Sequence, residues 1–316
     1  MTSLTSDRRG DLAIHTHDLG KRFGPRTALA GVDLAVPRGV AFGFLGANGA
    51  GKTTLIRLLL GLAEPTSGRM QLLGRELPGE RADALARVGA IIEEPRFHGH
   101  LTGRENLHIH AAARDRAAHE RIDGALARVG LGARGDDRVK GYSLGMRQRL
   151  GVARCLLADP ELLILDEPMN GLDPGGMLDM RQMIRALVED EGRTVFISSH
   201  LLDEVEKTCD VAAIIDGGRV IAEGPIEELV AGGAGELIVE CDDAERALAL
   251  LAAAPSVREL RREHGALRMK LLAPEQAGEI NAQLVKAGVV VTRLEPVRQS
   301  LEERFLEMTT RLEVAA

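Results

Sequence analysis

Hydrophobic residues are spaced in two different ways along this 316-residue chain. Up to about residue 45 they alternate with polar residues, as in VDLAV, or form a nearly continuous run, as in VAFGFLG. Alternation is typical of a strand with one buried face, and a continuous run is typical of a strand buried on both faces. We therefore predict short strands within residues 11–45, with VAFGFLG as a fully buried strand.

The spacing becomes helical from about Lys52 to Leu62, where we predict an amphipathic helix. PTSGRMQLLG then predicts a turn and a strand, and RVGAIIEEP a second buried strand. Between about residues 101 and 158 helical spacing dominates, which predicts a helical insertion. Its apolar stripes consist of Leu101, Leu107, Ile122, Leu126, Val129 and Leu150.

Strand patterns return in ELLILDEP, TVFISSH and VAAIIDGGRVIAEG. The last of these predicts a hairpin, because Asp216, Gly217 and Gly218 can supply the positive φ angles of a tight turn. The glycine-rich segment VAGGAG, residues 230–235, predicts a linker. We place the first domain at residues 11–230, with a helical subdomain at about 97–158, and the linker at 231–235.

A different order of elements follows the linker. ELIVECD predicts a strand, DAERALALLAAA a helix, VRELRR and ALRMKLL two strands, PEQAGEINAQLVKAG a helix and VVVTRLE a last strand. This βαββαβ order is typical of a small ferredoxin-like domain. We place that α+β domain at residues 236–313, closed by a final helix in SLEERFLEMTTRL.

Composition narrows the classes of function. The net charge is −7, and the chain has no Trp and one Tyr, so it has neither the basic field nor the stacking aromatics of a nucleic-acid-binding protein. The unpaired set Cys155, Cys209 and Cys241 favours reduced, partly buried thiols over a disulfide or zinc framework. Because no stretch has the ~20 uninterrupted apolar residues of a membrane span, we expect a soluble chain.

The segment GANGAGKT, which begins at Gly46, carries the first candidate chemistry. It matches the phosphate-loop pattern and lies between a predicted buried strand and a predicted helix. A tight turn needs one or two glycines, whereas the additional ones let backbone N–H groups converge on phosphate oxygens at the helix N-terminus. Lys52 would reach the β- and γ-phosphates, and the Thr53 hydroxyl would ligate Mg²⁺. The predicted nucleotide-binding residues of this loop are Gly46, Asn48, Gly49, Gly51, Lys52, Thr53 and Thr54.

Two carboxylates end the apolar strand pattern ELLILDEP. Asp166 and Glu167 therefore lie at the carboxyl end of a buried strand, the edge at which the phosphate loop also lies. Asp166 can hold the Mg²⁺ shell, and Glu167 can act as the general base that polarises the attacking water. The alternative is that both are ordinary acidic residues capping a helix.

Three further segments resemble ATP-binding-cassette (ABC) proteins: YSLGMRQRLGVARCLLADP from Tyr142, NGLDP from Asn170 and SSHLLDE from Ser198. In order and spacing they are similar to the signature, the D-loop and the switch histidine of that family. The resemblance covers about residues 11–230. It implies a phosphate-loop α/β ATPase core with antiparallel β and helical subdomains, followed here by the ferredoxin-like domain.

The resemblance also assigns roles. Ser143 and Gly145 would bind the γ-phosphate of ATP held by the phosphate loop of a second subunit, so that ATP joins a head-to-tail dimer, expected to be a homodimer. His200 would contact the same γ-phosphate as a catalytic residue, with a structural histidine as the alternative. The D-loop residue Asp173 would contribute to nucleotide binding. Phe23 would stack on adenine, with a core position as its alternative.

Two departures from the family pattern are visible. The signature reads Tyr142-Ser143-Leu144-Gly145-Met146 instead of the usual Leu-Ser-Gly-Gly-Gln. The family's magnesium-binding glutamine is replaced by Glu93, or by Glu94 in the neighbouring register, and a carboxylate oxygen is also a suitable Mg²⁺ ligand. This acidic version and the C-terminal SLEERFLEMT resemble the bacitracin- and daunorubicin-type exporter ATPases.

The resemblance implies an ATPase subunit with ATP and Mg²⁺ as cofactors. It would energise a separate integral-membrane permease from the cytoplasmic face of the membrane and export an antibiotic, drug or similar amphipathic compound. One alternative is a non-transport ABC ATPase acting on ribosomes or DNA, although such proteins usually have two cassettes or coiled-coil arms. Another is a regulatory binding module, suggested only by the ferredoxin-like domain. Phe97 would anchor a helix of the permease, or else pack under the helical insertion.

Overall fold

The structure is a computed structural model that describes residues 12–231, 236–263, 265–271, 276–297 and 300–306. The chain divides into two compact units, whose boundary lies between Gly224 and Pro225. The predicted first domain ends six residues later, at residue 230. Of the predicted linker, only Ala231 is described, as the last residue of a helix.

The first unit contains two β-sheets and a set of helices. Its strands are β1 (Leu12–Phe23), β2 (Arg26–Pro37), β3 (Ala41–Leu45), β4 (Ser67–Leu72), β5 (Arg75–Leu77), β6 (Val88–Ile91), β7 (Leu162–Asp166), β8 (Thr194–Ser199), β9 (Val211–Asp216) and β10 (Arg219–Pro225). Its helices are α1 (Lys52–Leu59), α2 (Arg81–Ala86), α3 (Gly103–Ala112), α4 (Arg116–Glu120), α5 (Ile122–Arg128), α6 (Leu144–Leu156), α7 (Pro174–Glu189) and α8 (Leu202–Thr208).

The larger sheet has the order β10-β9-β3-β8-β7-β6. Strands β6, β7, β8, β3 and β9 pair in parallel, and every residue of β3, β7 and β8 is buried. This confirms VAFGFLG as a strand buried on both faces. Strand β10 lies beside β9 after a turn in which Gly217 and Gly218 have φ angles of 52° and 78°, which confirms the predicted hairpin.

The smaller sheet is antiparallel, with the order β2-β1-β4-β5. Its apolar face shares one core with α1 and with β3 and β8 of the larger sheet. Within that core the rings of Phe42 and Phe196 stack with centroids 5.8 Å apart. The core therefore fixes α1, and the loop before it, against both sheets.

Helices α3 to α6 form the predicted helical insertion between β6 and β7. Thr102 begins α3 with a capping box, in which its side chain accepts from the N–H of Glu105 and the Glu105 side chain accepts from the N–H of Thr102. The predicted helices of this unit differ from the observed ones in one end point and in several omissions. Helix α1 ends at Leu59 and not at Leu62, because Gly61 adopts a φ of 63° that closes the helix. Helices α2, α7 and α8 of this unit were not predicted.

The second unit is an α+β domain. It consists of α9 (Ile226–Ala231), β11 (Glu236–Cys241), α10 (Ala244–Ala252), β12 (Val257–Glu263), β13 (Ala266–Leu271), α11 (Gln276–Lys286) and β14 (Val291–Val297). The sheet has the order β12-β13-β11-β14 with all neighbours antiparallel. Since β13 lies between β11 and β12, this is the split βαβ arrangement of the predicted ferredoxin-like domain. Residues 301–306 of the predicted final helix are helical, and its remainder lies outside the described residues.

The three cysteines are free thiols. Cys155 and Cys209 are buried, whereas Cys241 is half-buried. Burial raises the pKa of the Cys155 thiol to about 11 and also raises that of Cys209.

Candidate functional site

The candidate site lies where β3, β7 and β8 end at one edge of the larger sheet. The predicted phosphate loop connects β3 to α1, and the geometry explains two of its glycines. A Cβ atom at Gly46 would overlap the Ile215 carbonyl. Gly51 has a φ of 118°, and a Cβ there would lie 2.7 Å from the Ala28 oxygen. The loop can therefore wrap this closely only with glycine at these positions.

A cleft opens beside this loop. Phe23 is 54% exposed at its rim, which excludes the alternative of a core position. The Lys21 ammonium lies 4.9 Å from the centroid of the Phe23 ring and makes a cation–π contact with it. The cleft is lined by Phe23, Arg26, Ala28, Asn48, Gly49, Gly51, Lys52, Thr53, Thr54 and Glu167.

Lys52 is the buried cation of the cleft, with 5% of its surface exposed. Its ammonium donates to the carbonyls of Gly46 at 2.6 Å and Ala47 at 3.2 Å. It also lies 3.3 Å from Oε1 of Glu167. A phosphate group could take over these interactions, because an ammonium carries three donors and can redistribute them.

Asp166 lies at the floor of the site and is 4% exposed. Its two carboxylate oxygens each accept from a hydroxyl: Oδ2 from Thr53 at 3.1 Å and Oδ1 from Ser198. The pair Thr53 and Asp166 thus presents two hard oxygen ligands to the cleft. Ser198 was quoted in the sequence analysis only as part of a motif, and its contact with Asp166 was not predicted.

Glu167 has a φ of 50°, which is uncommon for a residue with a side chain. Its backbone N–H donates to the carbonyl and the hydroxyl of Ser198, both at 3.1 Å. Its Oε2 lies 2.8 Å from Nδ1 of His200. The carboxylate of Glu167 therefore lies between the side chains of Lys52 and His200. Both of these residues were predicted to belong to the site.

A second recess adjoins the first and shares Thr53 and Glu167 with it. It is lined by Thr53, Glu93, Glu94, Leu144, Gln148, Asp166, Glu167 and Asn170. Both candidates for the glutamine position are present: Glu93, with a φ of 61°, pairs with Arg57 at 3.2 Å, and Glu94 pairs with Arg147 at 3.3 Å. Both alternatives therefore stay open.

The residues assigned by resemblance to a second nucleotide do not line the cleft at Lys52. Ser143 begins α6, and its side chain accepts from the N–H of Met146 at 3.2 Å. Asp173 begins α7 in the same way, with Gly176 as the donor at 3.2 Å. Ser143, Gly145 and Asp173 lie at or beside helix N-termini, where backbone N–H groups favour an anion. Whether they bind a nucleotide stays a prediction.

Five residues of these recesses were missed. Arg26 and Ala28 follow Phe23 in sequence, and the pairing of β1 with β2 brings them beside the loop. Their signal was their closeness to a predicted adenine-stacking residue. Leu144, Gln148 and Asn170 belong to the signature and D-loop segments, but only the fold shows that they line one recess with Asp166 and Glu167.

The residues present fit a magnesium ion. In the described part of the chain, no group of three or more His, Cys, Asp or Glu side chains could hold a metal ion by itself. Magnesium sites usually use one or two protein ligands and complete the shell with water and phosphate oxygens. Thr53 and Asp166, with Glu93 or Glu94 nearby, are such a donor set.

Across the described ranges, no helix has both the length and the apolar character needed to cross a membrane.

The chain is similar to known proteins. A model of the ABC transporter family matches residues 29–170. The bacitracin transport ATP-binding protein of Bacillus licheniformis is 39% identical, with 93% of this chain and 96% of that protein covered. A daunorubicin resistance ATP-binding protein of Streptomyces coeruleorubidus is 36% identical, with 95% and 96% covered. The solved structure of cbiO1 from Clostridium perfringens, part of an ABC transporter complex, superposes with a TM-score of 0.65 at 27% identity, with 69% of this chain and 90% of that one covered.

Proposed function

This chain belongs to the ABC transporter family as an ATP-binding, ATP-hydrolysing subunit, and from this premise we propose that it drives export of an antibiotic or similar amphipathic compound through a separate membrane permease. One observation supports an exporter subunit over a non-transport ABC ATPase. The bacitracin and daunorubicin relatives align over 93% and 95% of the chain, well beyond the matched cassette of residues 29–170. The likeness therefore extends into the C-terminal unit and does not rest on the shared ATPase motifs alone.

Binding of ATP would begin at the phosphate loop. Lys52 would release the Gly46 and Ala47 carbonyls and donate to the β- and γ-phosphates, while the loop N–H groups and the N-terminus of α1 contribute further donors. Gly46, Asn48, Gly49, Gly51 and Thr54 belong to the same cradle. Phe23 would stack on adenine from its exposed position at the rim of the cleft.

Thr53 and Asp166 would hold Mg²⁺, with Glu93 or Glu94 as a further oxygen ligand on the other side. A bound Mg²⁺ would neutralise charge on the β- and γ-phosphates. Support for this role comes from the hydrogen bond between the Thr53 hydroxyl and Asp166, which already brings the two oxygens together at 3.1 Å.

Glu167 would act as the general base. Its Oε1 lies 3.3 Å from the Lys52 ammonium, next to the phosphate loop, and the metal ligands proposed above do not include it. His200, 2.8 Å from that carboxylate, would orient it and contact the γ-phosphate. A base held by a neighbouring side chain in this way can accept the proton that the attacking water loses.

A second copy of the chain would complete the site. Ser143 and Gly145, at the start of α6, would bind the γ-phosphate held by the partner's loop, and Asp173 at the start of α7 would line the same interface. We propose a homodimer that ATP closes and hydrolysis opens. The permease would receive this motion on the cytoplasmic face of the membrane, near Glu93 and Phe97. The C-terminal unit would be an accessory domain.

Purification of the tagged chain from detergent-solubilised host membranes tests this function. We expect a polytopic membrane protein to co-purify and the ATPase activity of that complex to rise with bacitracin or daunorubicin, added separately. The host without the chain should become sensitive to the same compound, and the Lys52→Ala variant should fail to restore resistance although it still assembles. Recovery with ribosomes or DNA, and no membrane protein, would contradict the proposal.

A further inference from the structure

Ser198 is a polar residue at a buried position of the larger sheet. It is 0% exposed and belongs to β8, where it pairs in register with Asp166 of β7. All six residues of β8 are buried. A buried hydroxyl needs hydrogen-bond partners to offset its loss of water, so its contacts indicate what it does.

Its hydroxyl contacts both carboxylate residues of the candidate site. Oγ donates its proton to Oδ1 of Asp166 and accepts the backbone N–H of Glu167 at 3.1 Å. A hydroxyl has one proton and two lone pairs, so this arrangement satisfies both kinds of bond at once. The Ser198 carbonyl accepts from the same N–H at 3.1 Å.

We propose that Ser198 is a positioning residue that sets the orientation of Asp166 and Glu167 together. This inference rests on the roles proposed above for those two carboxylates. By occupying Oδ1, Ser198 leaves Oδ2 of Asp166 directed at Thr53 and at the metal site. By accepting the Glu167 N–H, it supports the left-handed backbone that directs the carboxylate of Glu167 towards His200.

Loss of the hydroxyl would affect the two carboxylates in different ways. Asp166 would lose the donor to a buried oxygen and become free to turn towards another partner. The backbone N–H of Glu167 would keep its hydrogen bond to the Ser198 carbonyl but lose the one to the Ser198 hydroxyl. Outer-sphere partners of this kind typically change metal affinity or activity by about 10- to 100-fold.

Ser199 provides a matched control. It is the next residue of β8, it is also buried at 5% exposure, and its hydroxyl accepts from the N–H of Leu201 at 3.0 Å. Ser199→Ala therefore also removes a hydrogen bond of a buried serine in β8. It does not change the hydrogen bonds of Asp166 or Glu167.

The experiment compares Ser198→Ala with Ser199→Ala in the full chain. The binding of Mn²⁺ is measured by electron paramagnetic resonance with a non-hydrolysable ATP analogue, the binding of ATP is measured in excess EDTA, and turnover is measured at saturating Mg²⁺. We expect Ser198→Ala to weaken Mn²⁺ binding and to lower kcat, each by about tenfold or more. We expect metal-free ATP binding to stay within about twofold, and Ser199→Ala to stay within about twofold throughout.

Further variants separate this inference from the proposed function. Ser198→Thr keeps the hydroxyl and should restore Mn²⁺ affinity, provided that thermal unfolding shows a folded protein. A Ser198→Ala protein that matches Ser199→Ala, or that loses metal-free ATP binding as much as Mn²⁺ binding, would overturn the inference alone. If Asp166→Asn binds Mn²⁺ as well as the wild type does, or Glu167→Gln turns over normally, the assigned site itself is wrong and the inference fails with it.

Discussion

Replacement of Glu167 by glutamine separates ATP binding from ATP hydrolysis. Glutamine has nearly the same size as glutamate and can keep a hydrogen bond to His200, whose Nδ1 lies 2.8 Å from Oε2. Its amide cannot accept a proton from water. A positioned general base contributes about 10²- to 10⁴-fold to a rate, so kcat should fall by that factor, which corresponds to about 3 to 5 kcal/mol in the barrier.

ATP binding should be preserved or strengthened in the same variant. In the structure the Glu167 carboxylate lies 3.3 Å from the ammonium of Lys52 and competes with phosphate for it. The amide removes this competing charge, while Lys52 keeps the Gly46 and Ala47 carbonyls as partners. We therefore expect the Kd for ATP to be unchanged or lower, and ATP to trap the variant as a dimer.

Glu161→Gln is the matched control. Glu161 directly precedes β7, whereas Glu167 directly follows it, so the two glutamates lie at opposite ends of one strand. Glu161 is half-buried and pairs with Arg38 and with Arg87. Loss of the Glu161 carboxylate charge should lower the free energy of unfolding by up to about 1 kcal/mol and leave kcat unchanged.

Phosphate release gives kcat, fluorescent-nucleotide titration gives the Kd, and size-exclusion chromatography with ATP gives the oligomeric state. Turnover of Glu167→Gln within a few-fold of the wild type, with the control also active, would show that another group activates the water. A parallel loss of ATP binding would show instead that Glu167 helps to hold the nucleotide.

Three further outcomes are expected. Ser143→Arg should leave ATP binding to the monomer nearly intact and abolish dimer closure and hydrolysis, because the arginine would block the start of α6; equal loss of monomer binding, measured by titration, would argue against a role in the partner's site. Phe97→Ala should keep basal ATPase of the isolated chain within a few-fold and uncouple transport in the complex with permease; a joint loss of thermal stability and basal ATPase would mean that the ring is part of the core. Ellman's reagent at about pH 8 should modify Cys241 first, because it is half-buried, whereas the buried thiols of Cys155 and Cys209 should react only after unfolding; burial raises the thiol pKa values of all three, and rapid reaction of all three thiols would contradict the burial of two of them.

Much of the fold could be predicted because its signals are local. Continuous apolar runs marked β3 and β7, and the glycines of the phosphate loop marked the turn between β3 and α1. Helix α7 also has a clear signal in the sequence: Asp173 as its cap, Pro174 at its first position, and Met180, Ile184 and Leu187 at helical spacing. The residues of α7 therefore contain enough local information to predict the helix, although we did not predict it.

Other parts of the site depend on contacts between distant segments. Arg26 lies three residues after the predicted adenine-stacking residue Phe23, but it reaches the cleft beside the phosphate loop only because β2 pairs back on β1. The choice between Glu93 and Glu94 depends on the path of the loop after β6, where a φ of 61° at Glu93 changes the direction of the chain. A shift of one residue along that path exchanges the positions of the two carboxylates. The spacing of hydrophobic residues does not determine the path.

The two glutamates with positive φ in this region share a physical setting. Glu93 follows β6 and Glu167 follows β7, and these two strands are parallel neighbours in the sheet. A left-handed backbone at a residue with a side chain costs about 1–3 kcal/mol and persists only where the surroundings enforce it. For Glu167 the enforcing contacts are the carbonyl and hydroxyl of Ser198, which belong to a fully buried strand. The backbone N–H of Glu167 is thus bonded to the sheet core, while its carbonyl accepts from the N–H of Asn170 in the loop that follows. The two bonds to Ser198 are the part of this support that comes from a buried strand, and the effect of Ser198→Ala on kcat measures the share that the hydroxyl contributes.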